Sequence, residues 1–269
     1  MQTCINGATT MPYSLAEDIR SAAAAGFEAV ELWHRKFPDY LKDHTGADLA
    51  RLLRQHNLKA ATICPLFVQF GEEAAPARKA VAEAAQMAAE IGCPTLLVCV
   101  RVPPEGLTRA EQIDLAAHET GLAADAAAPY GVSLAVEPLG RHALVPGPNE
   151  ALEIVRKAGR PNLGIMMDTF HYYKSAVSMA DIAAIPVDKV LIIHVNDSDD
   201  LPREQLRDAN RLYPTLGVIP AAEMLRPLIK GGYQGALSVE IFREEYWQRP
   251  IDEIAGQSRV HLDKLLAQI

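Results

Sequence analysis

Four residues able to hold a metal ion or move a proton each close an apolar run. Ser133-Leu134-Ala135-Val136 ends on Glu137, Leu163-Gly164-Ile165-Met166-Met167 on Asp168, Val190-Leu191-Ile192-Ile193 on His194, and Leu237-Ser238-Val239 on Glu240. An ionised carboxylate at the end of a buried strand is costly unless it is paired or coordinated. A lone strand-end acid ordinarily faces a loop or caps a helix, so one such residue carries little weight; four strands in succession make the pattern. Three carboxylates and one imidazole aimed at a common volume repel one another, and one divalent metal ion resolves the repulsion. The donor set is oxygen-rich with a single nitrogen. It suits Zn or Mn in the first place and Mg or Co as alternatives, and it argues against a thiolate structural zinc site.

Those four residues meet only if their strands run side by side. Short, β-branched apolar segments fall at 2–6, 27–32, 58–64, 94–100, 131–137, 163–168, 189–196 and 236–242. Alternating with them are longer Ala- and Leu-rich segments of helical period, at 14–25, 46–56, 74–91, 108–129, 148–158, 178–184, 220–230 and 250–267. Near-continuously apolar strands, each followed by a helix, imply a parallel sheet covered on its outer face. Eight such units in 269 residues fit one α/β domain over 1–269, a (β/α)8 barrel, whose active face lies at the C-terminal ends of its strands. Ser14 followed by Glu17 reads as a capping box that opens the first helix. The longest stretch without periodicity, 196–219, holds Asp197, Asp199, Asp200, Arg203, Arg207, Asp208, Arg211 and Tyr213. Such a loop, following a strand, is expected to lie over the barrel mouth as a lid or substrate-contacting segment.

Other polar residues near the strand ends have two readings each. His171, three residues beyond Asp168, is either a substrate hydrogen-bonding group or a surface histidine at a helix start. Glu31, ending Val30-Glu31, reads better as a supporting or structural partner than as a direct contact. Arg243, shortly after Glu240, meets either an anionic substrate or a carboxylate of the 196–219 loop, and Arg203 within that loop is a further substrate-contact candidate.

Composition narrows the class. The chain is 49% hydrophobic and 22% charged, a globular balance, and its net charge of −8 gives no basic footprint for nucleic acid or an anionic membrane. No apolar run approaches the ~18 residues of a membrane helix. The opening Met1-Gln2-Thr3-Cys4-Ile5-Asn6 shows no signal-peptide pattern, so a cytoplasmic protein is expected. Cys4, Cys64, Cys93 and Cys99 form no C-x-x-C and read as buried free thiols in a reducing compartment. A homo-oligomer stays open, since no apolar stripe points to an interface.

The sequence resembles the xylose-isomerase-like TIM barrel superfamily of sugar isomerases and epimerases, and within it the inosose isomerase (2-keto-myo-inositol isomerase) family of inositol catabolism. The resemblance covers nearly the whole chain. It is carried by Cys4-Ile5-Asn6-Gly7-Ala8-Thr9-Thr10, Tyr40-Leu41-Lys42-Asp43-His44, Ala135-Val136-Glu137, Asp168-Thr169-Phe170-His171, the segment from His194-Val195-Asn196-Asp197 to Arg211-Leu212-Tyr213-Pro214, and Ser238-Val239-Glu240-Ile241-Phe242-Arg243. It implies metal ligands at Glu137, Asp168, His194 and Glu240, with Glu137 and Glu240 also acting as acid and base. The implied reaction is isomerisation or epimerisation of a polyhydroxy ketone, an inosose or ketose, by proton transfer through a cis-enediolate. The small-molecule partner is then a sugar or cyclitol ketone.

Three positions depart from the family pattern. Gly7 stands where an acidic residue is usual, Pro214-Thr215-Leu216-Gly217 replaces Pro-Gly-x-Gly, and Pro138 follows Glu137 where a larger apolar residue is expected. Two other classes share the scaffold: a lyase of the 3-dehydroshikimate dehydratase type and a non-catalytic sugar-binding barrel. The endonuclease IV type of nuclease needs further metal ligands and sits poorly with a net charge of −8.

Overall fold

The segments Thr95–Val100 and Leu163–Asp168 are buried at every residue. That is what strands need when one face fills a barrel lumen and the other lies beneath helices. A computed structural model describing residues 1–269 shows this arrangement. Strands β1 (Gln2–Asn6), β2 (Ala29–Trp33), β3 (Lys59–Val68), β4 (Thr95–Val100), β5 (Ser133–Glu137), β6 (Leu163–Asp168) and β7 (Val190–Val195) follow one another around a closed parallel barrel. After a short antiparallel ribbon, β8 (Asp197–Ser198) with β9 (Arg211–Leu212), strand β10 (Ala236–Val239) closes the ring between β7 and β1. The closing register runs from Gln2 opposite Ala236 to Ile5 opposite Val239.

The core has two parts. A cluster of 66 buried residues lies between the strands and their helices, and a smaller one of 11 includes Cys4, Ala29, Leu97, Ala135, Met166, Ile192 and Ala236. These seven belong to seven different strands and fill the lumen. Because side chains alternate along a strand, two steps on from each of them also faces inward. That rule takes Cys4 to Asn6, Ala29 to Glu31, Ala135 to Glu137, Met166 to Asp168, Ile192 to His194 and Ala236 to Ser238 and Glu240. The lumen therefore turns from apolar to polar toward the C-terminal ends of the strands.

Helix boundaries follow their caps. Capping boxes at Ser14/Glu17, Thr45/Asp48 and Thr108/Glu111 open the helices Leu15–Ala24, Gly46–Gln55 and Arg109–Ala127. Three short helices, Phe37–Tyr40, Thr169–Lys174 and Glu244–Trp247, lie outside the periodic segments because four to six residues are too few to display a helical period. The last barrel strand stops at Val239 rather than at 242, so Glu240 sits just beyond it. No helix is long and apolar enough to cross a membrane, and all four cysteines are buried and free.

Candidate metal centre

Glu137, Asp168, His194 and Glu240 are brought together as the strand-end pattern requires: one donor atom from each lies within 4.8 Å of the others, and all four residues are buried. His194 decides how the cluster is wired. Its Nε2 is 2.8 Å from Glu31 Oε2, which also accepts from Ser238 Oγ at 2.8 Å, while Thr62 Oγ1 donates to Glu31 Oε1. Because Glu31 is an acceptor, it holds a ring proton on Nε2, so Nδ1 is the nitrogen that offers a lone pair once the imidazolium has given up its second proton. That Nδ1 lies 3.1 Å from Glu240 Oε2, 3.5 Å from Asp168 Oδ2 and 3.9 Å from Glu137 Oε1, yet is aligned for a hydrogen bond with none of them. A buried nitrogen without a partner, ringed by three carboxylates, is a donor set that could hold a cation. Glu31 is thus the supporting partner anticipated from the sequence.

The two glutamates are also held from behind. Asn6 Nδ2 donates to Glu240 Oε1 at 3.2 Å, and Cys99 Sγ donates to Glu137 Oε2 at 3.2 Å. Each contact leaves the other carboxylate oxygen facing the cluster. Burial, reinforced by the charge of Glu240, pushes the Glu137 carboxyl up to about 8. Burial also raises Glu240, against the opposing pull of His194 and Arg211. Asp168 goes the other way: burial is outweighed by the Arg211 guanidinium and the nearby histidines, which hold it well below the usual carboxylate range. His194 behaves likewise in reverse, since burial is overridden by Glu240 and Glu31 and the imidazolium is favoured well above its ordinary range. One oxygen-rich cluster thus contains carboxylates driven in opposite directions, a combination typical of functional sites.

Arg211 completes the site. Its Nη1 donates to Asp168 Oδ2 at 2.7 Å and to Glu240 Oε2 at 3.0 Å, and its Nε and Nη2 hold Asp208 Oδ1 at 3.1 and 3.0 Å. The guanidinium lies over Phe170, 4.7 Å from the ring centroid, and Nη2 reaches His171 Nε2 at 3.1 Å. His171 is accordingly buried rather than at the surface, and burial lowers it to about 4, leaving it neutral. Arg243 is paired with Asp199 and Glu245, and Arg203 stacks over Tyr173. Neither lines the cavity of about 370 Å³ that opens onto Glu137 and Glu240, whereas Arg211 and His171 do. A wider cleft of about 640 Å³, between 11–17 and 33–44, touches none of the four clustered residues, so it is the smaller cavity, lined by Glu137 and Glu240, that reaches them.

The comparisons with known proteins agree with this geometry. The family model for the xylose isomerase-like TIM barrel matches residues 19–265. The chain belongs to that family. It is 30% identical over 259 residues to an inosose isomerase of Halalkalibacterium halodurans, covering 94% of this chain and 92% of the relative, and 32% identical over 262 residues to one of Bacillus velezensis, with the same coverage. Among solved structures, the IolI protein with a zinc atom superposes with a TM-score of 0.93 at 26% identity, over 99% of this chain and 98% of that one. A 3-dehydroshikimate dehydratase of Pseudomonas aeruginosa is 27% identical over 88% of this chain, which spans only 37% of that longer relative.

Two departures from the family pattern have physical consequences in the fold. A Cβ on Gly7 would lie 3.1 Å from Asp18 Oδ2 and 3.1 Å from Trp33 Cβ, so an acidic side chain there would meet an existing carboxylate. Thr215 stands at φ +73°, the left-handed region that glycine occupies without cost, whereas Gly217 is obligatory because a Cβ would come within 2.0 Å of Ser198 O. Asp197 Oδ1 fastens the segment by accepting from Ser198 N at 2.9 Å and Ile219 N at 2.7 Å, so 196–219 is a tied loop around a ribbon rather than a structureless one. The position of Pro138 has no comparable explanation in these contacts.

Proposed function

We propose that this chain is a divalent-metal-dependent isomerase or epimerase that moves a proton between carbons of a polyhydroxy ketone, an inosose or ketose, through a cis-enediolate. The observation that carries the reading is His194 Nδ1, buried, without a partner and faced by Glu137, Asp168 and Glu240. Those four residues would hold the ion, with zinc or manganese the best match to three oxygens and one nitrogen. When bound, the ion supplies Lewis-acid polarisation of the substrate carbonyl, which acidifies the neighbouring C–H.

The rest of the work falls to the chain. One of Glu137 and Glu240 takes the proton from the carbon beside the carbonyl, and the other returns a proton to the partner carbon or the opposite face. Both are set up for it, because each has one oxygen anchored by Cys99 or Asn6 and its affinity for a proton raised by burial. Arg211 stays cationic with its five N–H groups committed within the site, so it offsets by charge the negative charge that builds on substrate oxygens, while neutral His171, its Nε2 turned to Arg211, keeps Nδ1–H as an unpaired donor. Trp33 and Phe242, packed edge to face at 5.7 Å, give the cavity an apolar wall that sheds water from the reacting C–H.

The test is solvent exchange. Metal-loaded protein incubated with a panel of inososes and ketoses in D2O should place deuterium on a carbon adjacent to the carbonyl. A metal-bound protein that exchanges none of the panel sinks the proposal. Elimination of water after the same enolisation is the second reading, favoured by the dehydratase relatives. It is read separately, as the aromatic absorbance of protocatechuate formed from 3-dehydroshikimate.

A further inference from the structure

The cavity that opens onto Glu137 and Glu240 carries two hydrogen-bond donors that the proposed reaction does not use. Lys174 ends the helix Thr169–Lys174, one turn beyond His171 on the same face, and lines the cavity. Its stem lies across Gly140, where a Cβ would come 2.7 Å from Lys174 Cδ, so the glycine lets the lysine reach inward. The acid that faces Lys174 is Asp208, and Asp208 is already taken up by Arg211 through two hydrogen bonds. Arg141, Arg207 and Arg211 add positive potential at the same place, so the ammonium is left with an excess of like charge in a chain whose net charge is −8.

His142, on the loop after β5, lines the same cavity. Its Nδ1 accepts from the backbone N–H of Leu144 at 3.1 Å and of Val145 at 3.0 Å. The ring proton is therefore on Nε2, a neutral donor for which the chain offers no acceptor. The neighbouring backbone is fixed: Arg141, at φ +61°, donates its N–H to Ser175 Oγ at 2.8 Å, which ties this loop to the end of the Lys174 helix. Two free donors, one charged, on a rim with surplus positive charge match an acceptor-rich anion better than a hydroxyl, because only an anion neutralises the partly desolvated ammonium.

We propose that Lys174 Nζ and His142 Nε2–H form a subsite for an anionic group, a carboxylate or a phosphate, at the end of the substrate away from the carbons that exchange the proton. The inference rests on the enolising reading of the metal centre and, among the ketoses of that reading, favours those that carry an acidic group.

Binding without turnover tests it. Isothermal calorimetry on the metal-loaded protein compares D-glucitol with D-gluconate and D-glucitol 6-phosphate. At least one of the two anions should bind about tenfold or more tightly than glucitol, and which one does so identifies the group. Lys174→Met should bring that ratio to within about twofold of one, while Lys174→Arg keeps it. Equal affinities in the unaltered protein overturn the proposal, and so does a preference that survives Lys174→Met, which would put the anion on the metal. Because no step of this experiment needs catalysis, its failure is separable from a failure of the deuterium exchange.

Discussion

Two groups of buried carboxylates lie beyond the C-terminal ends of the barrel strands, and they are balanced differently. Near β1 and β2, Asp18 faces Lys36 Nζ at 2.7 Å and accepts from Thr10 Oγ1 at 2.7 Å, while Lys36 also donates to Thr10 O at 2.9 Å. One acid meets one cation, and the polar atoms around them are satisfied. Near β5, β6, β7 and β10, three carboxylates surround a histidine whose Nδ1 has no partner, and Arg211 pairs with two of them, Asp168 and Glu240. Burial of charge is common to both and marks function in neither. What separates them is the unmatched remainder: the first pair is closed, and the second leaves a buried ring nitrogen without a partner among three carboxylates.

Breaking the second group should cost chemistry rather than fold. Glu240→Gln removes a ligand and a proton carrier together, and kcat/KM is expected to fall roughly 10^4-fold. The melting temperature of the metal-free protein should hold or rise, because the substitution relieves repulsion. Retention of a tenth of the activity would falsify the assignment. Breaking the first group should do the reverse. Lys36→Met leaves Asp18 buried without its cation and should cost about 3 kcal/mol in urea unfolding, with metal affinity unchanged. An unfolding midpoint equal to that of the parent protein would remove the structural role given to the pair.

Smaller effects sharpen the contrast. Glu31→Gln leaves all four ligands in place but loosens the control over the His194 ring, and metal affinity should drop about 10–100-fold by competition with a chelating dye. In the parent protein, affinity should rise from pH 6 to above 8. Glu137, pushed up to about 8, and His194, held protonated among these acids, must both lose protons to bind the ion. A flat profile over that range would mean that neither titrates on binding. Thr215→Gly relieves a β-branched residue at φ +73° but loses the contact of Thr215 Oγ1 with His261 Nδ1 at 3.2 Å. The balance should be a gain of roughly 0.5–1 kcal/mol, read from denaturant melts.

Much of this was legible in the sequence because it depends on local periodicity. The helices 74–91 and 148–158 and the strand 163–168 fall where their patterns end, and the four clustered residues show as polar closures of apolar strands. The same alternation, counted inward from Cys4 and Ala29, also points to Asn6 and Glu31, and it is the signal by which Asn6 could have been found. Arg211 was hidden among the charged residues of 196–219. Nothing local separates it from Arg203 and Arg207, because what selects it is the pairing of Arg211 with Ser198 across the ribbon. Asp18 with Lys36, and Lys174 over Gly140, escape for the same reason, since each is a meeting of distant segments. Arg243 was weighed between two partners, and in the fold it pairs with Asp199 of the loop.

The Glu31–His194 hydrogen bond joins residues 163 positions apart on β2 and β7, strands that are not neighbours in the ring, and Ser238 of β10 enters the same contact. It runs through the lumen like a tie-rod. Neither the first nor the second half of the chain contains both of its ends, so His194 acquires its correct tautomer only after the ring has been wound shut. Were an ion held at this cluster, its capture would proofread topology: a chain stalled short of closure would have no well-poised nitrogen to offer, and the first molecules loaded would be those that had finished folding.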